Sequence, residues 1–516
     1  MGRGVPARRR EHRRVGAADH DADRHLPRGA FAVRGVRHGG QRRGVHRRRV
    51  RALPGRQRRR RRPRRHPGRL PHRPRRQLHP LRRPRPHPAP ARLVRARHLR
   101  HGLPPRGDAV SPRIAVIYHS RRGTVRTLAE LAAQGARDAG AEVRLLRVPE
   151  ETEDHGQWPE EIAEPEDVLR AEGLVLAAPT YYGMVSSPFK RFLESTSPLW
   201  GQGLLADRVA TCLTASTQRH GGREATLTSL HHTLCHWGCW VAGSDPADPV
   251  TQAAGGTAYG LAADNTQGRP TPAERAAARA LGHRLTDLTA RAHPRRPAGR
   301  PAPTPTPPHR PVRLAVVYHG EDAATRILAQ EAAAAARVLG AEVRLRRVAL
   351  GGGVRDAAWL GPSAAPAAAE DVAWADAALF GAPVRLGALA APLLEFVQTL
   401  DGEPGPLWGK PAGGFAITPA RHAGAETALL DLGHMLLHTG ALLVPPGYTD
   451  PAVEAAGGNP YGTSCSRAPD GLPTPQARAA AAHQGRRIAF AGDLLRRTPQ
   501  PSAPTSVPST SIGSPA

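Results

Sequence analysis

Arg113-Ile-Ala-Val-Ile-Tyr-His-Ser-Arg-Arg-Gly-Thr-Val-Arg-Thr-Leu-Ala-Glu130 reads as strand, tight loop and helix. Ile114 to Tyr118 form a short apolar, partly β-branched run, the composition of a strand buried on both faces of a parallel sheet. Leu128, Leu131 and Ala132 recur at helical spacing. Between them, Ser120-Arg121-Arg122-Gly123-Thr124 leads into Val125 with hydroxyls, a glycine and free backbone N–H groups. Unpaired amides of a first helical turn point outward and the helix dipole adds positive charge there, so such a loop can hold a phosphate. Many buried strands also end in a Ser/Gly turn without a ligand, and the rest of the chain has to decide.

The chain contains a repeat. Arg113-Ile-Ala-Val-Ile-Tyr-His119 returns as Arg313-Leu-Ala-Val-Val-Tyr-His319, and Gly140-Ala-Glu-Val-Arg-Leu-Leu-Arg-Val148 as Gly340-Ala-Glu-Val-Arg-Leu-Arg-Arg-Val348. Leu199-Trp200-Gly201 echoes in Leu407-Trp408-Gly409, and Gly255-Gly-Thr-Ala-Tyr-Gly260 in Gly457-Gly-Asn-Pro-Tyr-Gly462. A period of this length marks a duplicated domain rather than a solenoid. The expected organisation is an Arg/Pro-rich segment over 1–111, a first copy over 112–292, a Pro-rich linker over 293–311, a second copy over 312–497 and a Ser/Thr/Pro tail over 498–516.

Charge separates these parts. Residues 1–111 hold 36 Arg and five acids, which accounts for the whole formal charge of +31 and leaves the remaining 405 residues together neutral. That segment has no helical or strand periodicity and is expected to be disordered. A polyarginine arm can neutralise nucleic-acid phosphates, but this one has almost no aromatic residues for base stacking and no zinc-ligand or helix-turn-helix pattern. It resembles the out-of-frame translation of GC-rich DNA, which would place the true start near Val110. No secretory h-region and no apolar run of about 18 residues occurs, so a cytoplasmic protein without a membrane span is expected. Cys212, Cys235, Cys239 and Cys465 fit a reducing compartment. Cys235-His236-x-x-Cys239 lacks the second pair of ligands that a structural zinc requires, so these thiols are read as core and no metal is expected.

In the first copy the pattern predicts strands near 113–118, 142–148, 173–178, 208–213 and 239–243, with helices near 124–139, 187–195, 223–236 and 272–291. Five parallel strands with crossover helices make a doubly wound α/β sheet, whose ligand sits past the carboxyl ends of the strands. Three loops meet there. The first is Ser120 to Val125. The second, Ala178-Pro-Thr180-Tyr181-Tyr182-Gly183, offers a hydroxyl, two flat rings and a tight turn. The third, Thr214-Ala-Ser216-Thr217-Gln218-Arg-His220-Gly221-Gly222, offers a polar edge. An anion cradle, aromatic plates and a polar edge in this order suit flavin mononucleotide (FMN).

Residues 112–292 resemble the flavodoxin-like NAD(P)H:quinone oxidoreductases of the WrbA type. The resemblance rests on Tyr118-x-Ser120-x-x-Gly123, Pro179-Thr-Tyr-Tyr-Gly183, Phe192-Leu193 with Leu199-Trp200, His220-Gly-Gly-x-Glu224 and Gly255-Gly-Thr-x-Tyr-Gly260. It implies FMN with its phosphate on the first loop, NAD(P)H as electron donor, and quinone and nicotinamide alternating over the flavin. It implies subunits that complete one another's sites, with Trp200 walling a quinone pocket and Tyr259 approaching a neighbouring flavin. No catalytic acid is assigned. The chain departs from the family at Trp237, which stands in place of an imidazole near the flavin, at Arg122, which replaces an aromatic residue, and at Arg219, an added residue in the third loop.

The second copy keeps the scaffold but not the loops. His319-Gly-Glu-Asp-Ala-Ala-Thr325 puts two carboxylates where a phosphate would sit, and Pro383-Val-Arg-Leu-Gly387 has neither hydroxyl nor aromatic ring. This copy is read as a degenerate pseudo-partner, forming a pseudo-dimer within the chain and lending Trp408 or Tyr461 to the first copy. Homo-oligomers of the whole chain remain open, as do a non-catalytic electron carrier and an apo interaction scaffold.

Overall fold

The computed structural model describes residues 111–150, 158–294, 310–320, 322–349, 364–402, 404–468 and 470–497. The Arg-rich segment through residue 110, the centre of the linker and the tail after 497 lie outside the described residues.

Copy one has strands β1 (Arg113–Tyr118), β2 (Glu142–Arg147), β3 (Gly173–Tyr181), β4 (Val209–Ser216) and β5 (Trp240–Ala242). Its main helices are α1 (Thr124–Asp138), α2 (Ser187–Ser195), α3 (Arg223–Trp237) and α4 (Pro272–Ala292). Copy two repeats the plan with β6 (Arg313–Tyr318), β7 (Glu342–Arg347), β8 (Ala377–Arg385), β9 (Pro411–Thr418) and β10 (Leu442–Leu443). Helices α5 (Ala323–Val338), α6 (Ala391–Gln398), α7 (Ala425–His438) and α8 (Pro475–Arg497) flank them. Both copies have the flavodoxin-like strand order 2-1-3-4-5, all parallel within a copy. The apolar runs of the central strands are buried because helices cover both faces, and exposure returns only at strand ends such as Tyr181 and Arg385.

Two features go beyond the sequence reading. The fifth strand of copy one is split: β5 meets β4 only at Val209 and Ala210, and Leu261–Asp264 then takes over alongside Leu213 to Ser216. The segment between them carries a short helix, Pro249–Ala253, and the Gly255 to Gly260 motif. Secondly, the two sheets are one. β5 pairs antiparallel with β10 through Ala242↔Leu442 and Val241↔Leu443, so twelve strands form a continuous path and both apolar layers run across the junction.

A two-residue strand pair is a weak joint by itself, and side chains reinforce it with approximate two-fold symmetry. Arg487 of α8 donates to the Gly238 carbonyl (2.6 Å), the Pro445 carbonyl (2.8 Å) and Asp207 Oδ1 (2.5 Å). Arg284 of α4 donates in the reverse sense to the Gly440 carbonyl (3.4 Å), the Gly243 carbonyl (3.2 Å) and Asp245 Oδ2 (3.2 Å). Gly238 and Gly447 touch backbone to backbone: a Cβ on Gly447 would lie 2.5 Å from Gly238 Cα, so only glycine allows this approach. A histidine and tyrosine cluster fills the space between α3 and α7. Tyr259 O–H meets His438 Nε2 at 3.0 Å, Tyr461 O–H meets His236 Nε2 at 3.3 Å, and the rings of His231 and His434 lie 5.9 Å apart.

The strand direction reverses at this junction. The carboxyl ends of copy one's strands therefore share an edge of the sheet with the amino ends of copy two's.

Candidate active site

The three loops of copy one converge past the ends of β1, β3 and β4. The first leaves β1 at His119, a buried imidazole whose Nδ1 lies 2.8 Å from Ser186 Oγ and whose Nε2 lies 3.2 Å from Glu150 Oε1. Burial lowers the His119 pKa and Glu150 opposes the shift. Glu150 also binds Arg121 Nε at 2.6 Å, and Arg121 forms a side-chain hydrogen bond with Tyr181. His119, Glu150 and Ser186 thus tie the first loop to the second, a role the sequence reading missed. The available signal was a polar ring at the end of a strand that is buried throughout.

Within the first loop Ser120 Oγ accepts from the Gly123 amide at 3.1 Å. Gly123 takes a left-handed conformation (φ 86°) and caps α1 with no side-chain hydrogen bond. Thr124 is 5% exposed, and its hydroxyl oxygen is buried with no partner among the described residues. A buried hydroxyl without a partner costs free energy unless something fills the place, and here it stands at an uncapped helix N-terminus. These residues fit a phosphate group. Val125 is in the core, so only its backbone can take part. Arg122 is exposed beside the loop.

The second loop is the turn of a hairpin in which Thr180 pairs with Val185 and Tyr181 with Met184. Tyr181 is partly exposed, and Tyr182 is fully exposed at φ 51°, a conformation unfavourable for a side chain of that size. Thr180 Oγ1 lies 2.9 Å from Thr214 Oγ1, which joins the second loop to the third. The joint continues at the glycines: a Cβ on Gly222 would lie 2.7 Å from Gly183 Cα. In the third loop Ser216 Oγ donates to the Gln218 carbonyl at 2.5 Å and the Gly221 amide donates to the same carbonyl at 3.0 Å, which leaves Thr217, Gln218 and His220 exposed at the rim. Ser120 to Val125, Thr180 to Gly183 and Ser216 to Gly221 therefore stand together at one end of the sheet.

Trp237 and Trp200 do not stand with them. Helix α3 runs antiparallel to its strands, so its N-terminus opens from the third loop while Trp237, at its C-terminus, lies buried beside the start of β4. The length of β4, roughly 23 Å at about 3.3 Å per residue, separates the two ends. Trp200 donates its indole N–H to the His236 carbonyl at 2.8 Å and packs edge-on against Tyr448 of copy two. Both tryptophans line the edge that carries copy two's loops. By the same reversal Trp408 of copy two reaches copy one's edge, where its indole donates to Asp245 Oδ1 at 2.9 Å. Tyr259 meets α7 of copy two through His438, while Tyr461 packs on His232 and His236. Cys212, Cys235 and Cys239 are buried, and burial raises all three thiol pKa values.

The sequence profile described as "NADPH-dependent FMN reductase" matches residues 112–249 and 318–451, more than half of the chain. The chain belongs to this family. It is 34% identical over 194 residues to a protein of Deinococcus radiodurans named NAD(P)H dehydrogenase (quinone), covering 35% of this chain and 96% of that one. A protein of the same name from Acidithiobacillus ferrooxidans is 32% identical over 195 residues, covering 34% and 96%. Among solved structures, a flavodoxin described as WrbA-like from Agrobacterium tumefaciens aligns over 36% of this chain and all of its own, at 22% identity and a TM-score of 0.29. Each relative thus spans one copy, and this FMN reductase family member carries two. Among the described residues no helix is long and apolar enough to cross a membrane.

Proposed function

We propose that copy one binds FMN and works as an NAD(P)H:quinone oxidoreductase, with copy two as its permanent partner. The carrying observation is the buried, unpartnered Thr124 hydroxyl beneath the uncapped Gly123 turn, a cradle for a dianionic phosphate. FMN held there would supply two-electron chemistry, linking a nicotinamide hydride donor to a quinone that takes its second proton from solvent. The residues bind and orient. Ser120, Thr124 and the first amides of α1 hold the phosphate, Tyr181 and Tyr182 offer faces to the ring, and Ser216 to Gly221 border its edge. Copy two supplies Trp408 and His438 along the same edge and limits the access of water from that side.

The names of the relatives support the oxidoreductase class, and the loop geometry supports FMN as its cofactor. The test is the spectrum of the purified full chain. A flavin band near 450 nm that bleaches with NADPH and returns with benzoquinone is expected. Bleaching by dithionite alone would replace the enzyme by an electron carrier, and a protein that takes up no FMN would leave an interaction scaffold.

A further inference from the structure

The third loop has a second face. Arg219, His220 and Arg223 form one wall of an open cavity of about 630 Å3, bounded elsewhere by Gly255, Thr257 and the turn that carries Arg269. That volume lies within the range of small-molecule pockets, about 300–1,000 Å3. Neither the first loop nor the second reaches it, so it lies beside the proposed flavin cleft and shares only the third loop with it.

Its charges are unevenly committed. Glu274 spends both oxygens within the chain: Oε1 accepts the Asp264 amide (2.5 Å), and Oε2 accepts the Thr271 amide (2.7 Å) and hydroxyl (3.0 Å). Asp264 Oδ1 accepts the Thr266 amide at 2.9 Å, and its Oδ2 lies 3.5 Å from Arg219 Nε. Glu224 is the remaining carboxylate, on the exposed first turn of α3. Against it stand Arg223, tied to the Ala262 carbonyl at 3.1 Å, and the exposed Arg269, while Arg219, 78% exposed, shares its charge with Asp264. The balance favours an anion. A second cavity of about 370 Å3, between the copies, mixes both signs, with Asp245, Asp248 and Asp287 beside Arg284 and Arg291.

The geometry points to the Arg219–Arg269 cavity as the seat of the phosphorylated adenosine end of the reducing dinucleotide, with a preference for a donor that carries a ribose 2′-phosphate. This rests on the flavin reading only in that the nicotinamide must lie over the first two loops while the other half of the donor leaves across the third. Guanidinium groups match phosphate oxygens in pairs, and Arg219 belongs to a loop whose other face borders the flavin. The added residue of the third loop then sets donor choice.

Calorimetric titration of the full chain, with and without FMN, uses adenosine 2′,5′-bisphosphate, 5′-ADP and adenosine as probes. The bisphosphate is expected to bind at least about 10-fold more tightly than 5′-ADP, the worth of one charge-assisted phosphate contact. Arg219→Ala and Arg269→Ala should each remove that margin and raise KM for NADPH more than KM for NADH. Arg219→Lys should restore part of it. Equal affinity for the three probes, or a margin that survives both alanine variants, would overturn the assignment. A chain that binds the bisphosphate but no FMN would keep this site and sink the flavin proposal, and the reverse result would do the opposite.

Discussion

In copy one, α1 begins at Gly123 with no side-chain cap and a buried hydroxyl left without a partner; in copy two, α5 begins at Asp322, whose Oδ1 accepts from the Thr325 amide and hydroxyl at 2.8 Å each. Arg467 holds the other oxygen of Asp322 at 2.8 Å. The second helix thus carries its own anion where the first leaves its N-terminus uncapped. The framework around both is the same: Gly424 and Gly387 approach as closely as Gly222 and Gly183 do. Duplication kept the packing, which constrains backbones, and released the loops, which constrain only a ligand.

Giving copy one what copy two already has should have the largest effect. Ser120→Asp places a carboxylate beside the phosphate position, and two like charges about 4 Å apart at a partly screened site repel by about 4 kcal/mol, roughly 1,000-fold in affinity. FMN titration of the apo variant by fluorescence measures it. An unchanged affinity would take the first loop out of the site.

The two arginine clamps differ as well. Arg487 makes bonds of 2.5–2.8 Å from a site 8% exposed, and Arg284 reaches its partners at 3.2–3.4 Å. Arg487→Ala removes three charge-assisted hydrogen bonds, two of them to carbonyls, and should cost about 3 kcal/mol in urea unfolding of the full chain. Arg284→Ala should cost less, about 1–2 kcal/mol. An equal or reversed ranking would show that bond length does not decide which clamp holds the copies together.

Between the clamps, acid should loosen the junction. Burial, first, and the neighbouring imidazoles lower the pKa of His231 to about 3 and of His434 to about 4, from 6.5. His232 and His236 are lowered too, and Tyr259, Tyr461 and the exposed His438 face the same space. A base whose folded pKa is depressed contributes stability that is complete above about pH 6.5 and is lost as pH falls toward the folded value. The fully buried His231 should account for about 1.4 kcal/mol per pH unit in that window, and the half-buried His434 for less. Urea midpoints at pH 7 and pH 5 should therefore differ, with a smaller difference in His231→Gln. Identical midpoints would mean that the cluster admits protons without opening.

Much of this was legible in the chain. The strand ending at Tyr118 and the three loops stand where their residues suggested, because apolar runs and Gly/Ser turns act locally. The antiparallel joint was not: β5 and β10 are three and two residues long, too short to carry a pattern. Arg284 and Arg487 lie in Arg-rich helices, and nothing in the sequence sets them apart. Resemblance associated Trp237 with the flavin and Trp200 with the wall of a quinone pocket, but the direction of α3 carries Trp237 to the far edge, and Trp200 follows through its bond to His236. Sequence order names the element; only the fold says which end of the sheet it faces.

The smallest effect tests whether one carboxylate alone separates the copies. Asp322→Ala removes the cap of α5 and leaves the Thr325 hydroxyl, fully buried, without its partner, so that copy two's first loop comes to resemble copy one's. Loss of an N-cap costs about 1 kcal/mol, visible as a small shift of the urea midpoint. Flavin content should stay at one per chain, because the second loop of copy two offers Val384, Arg385 and a fully exposed Leu386 where copy one has Tyr181 and Tyr182. A phosphate seat without flat faces above it binds an anion and not a flavin. If the variant took up a second FMN, the difference between the copies would come down to Asp322, and the change of the second loop would carry no weight in it.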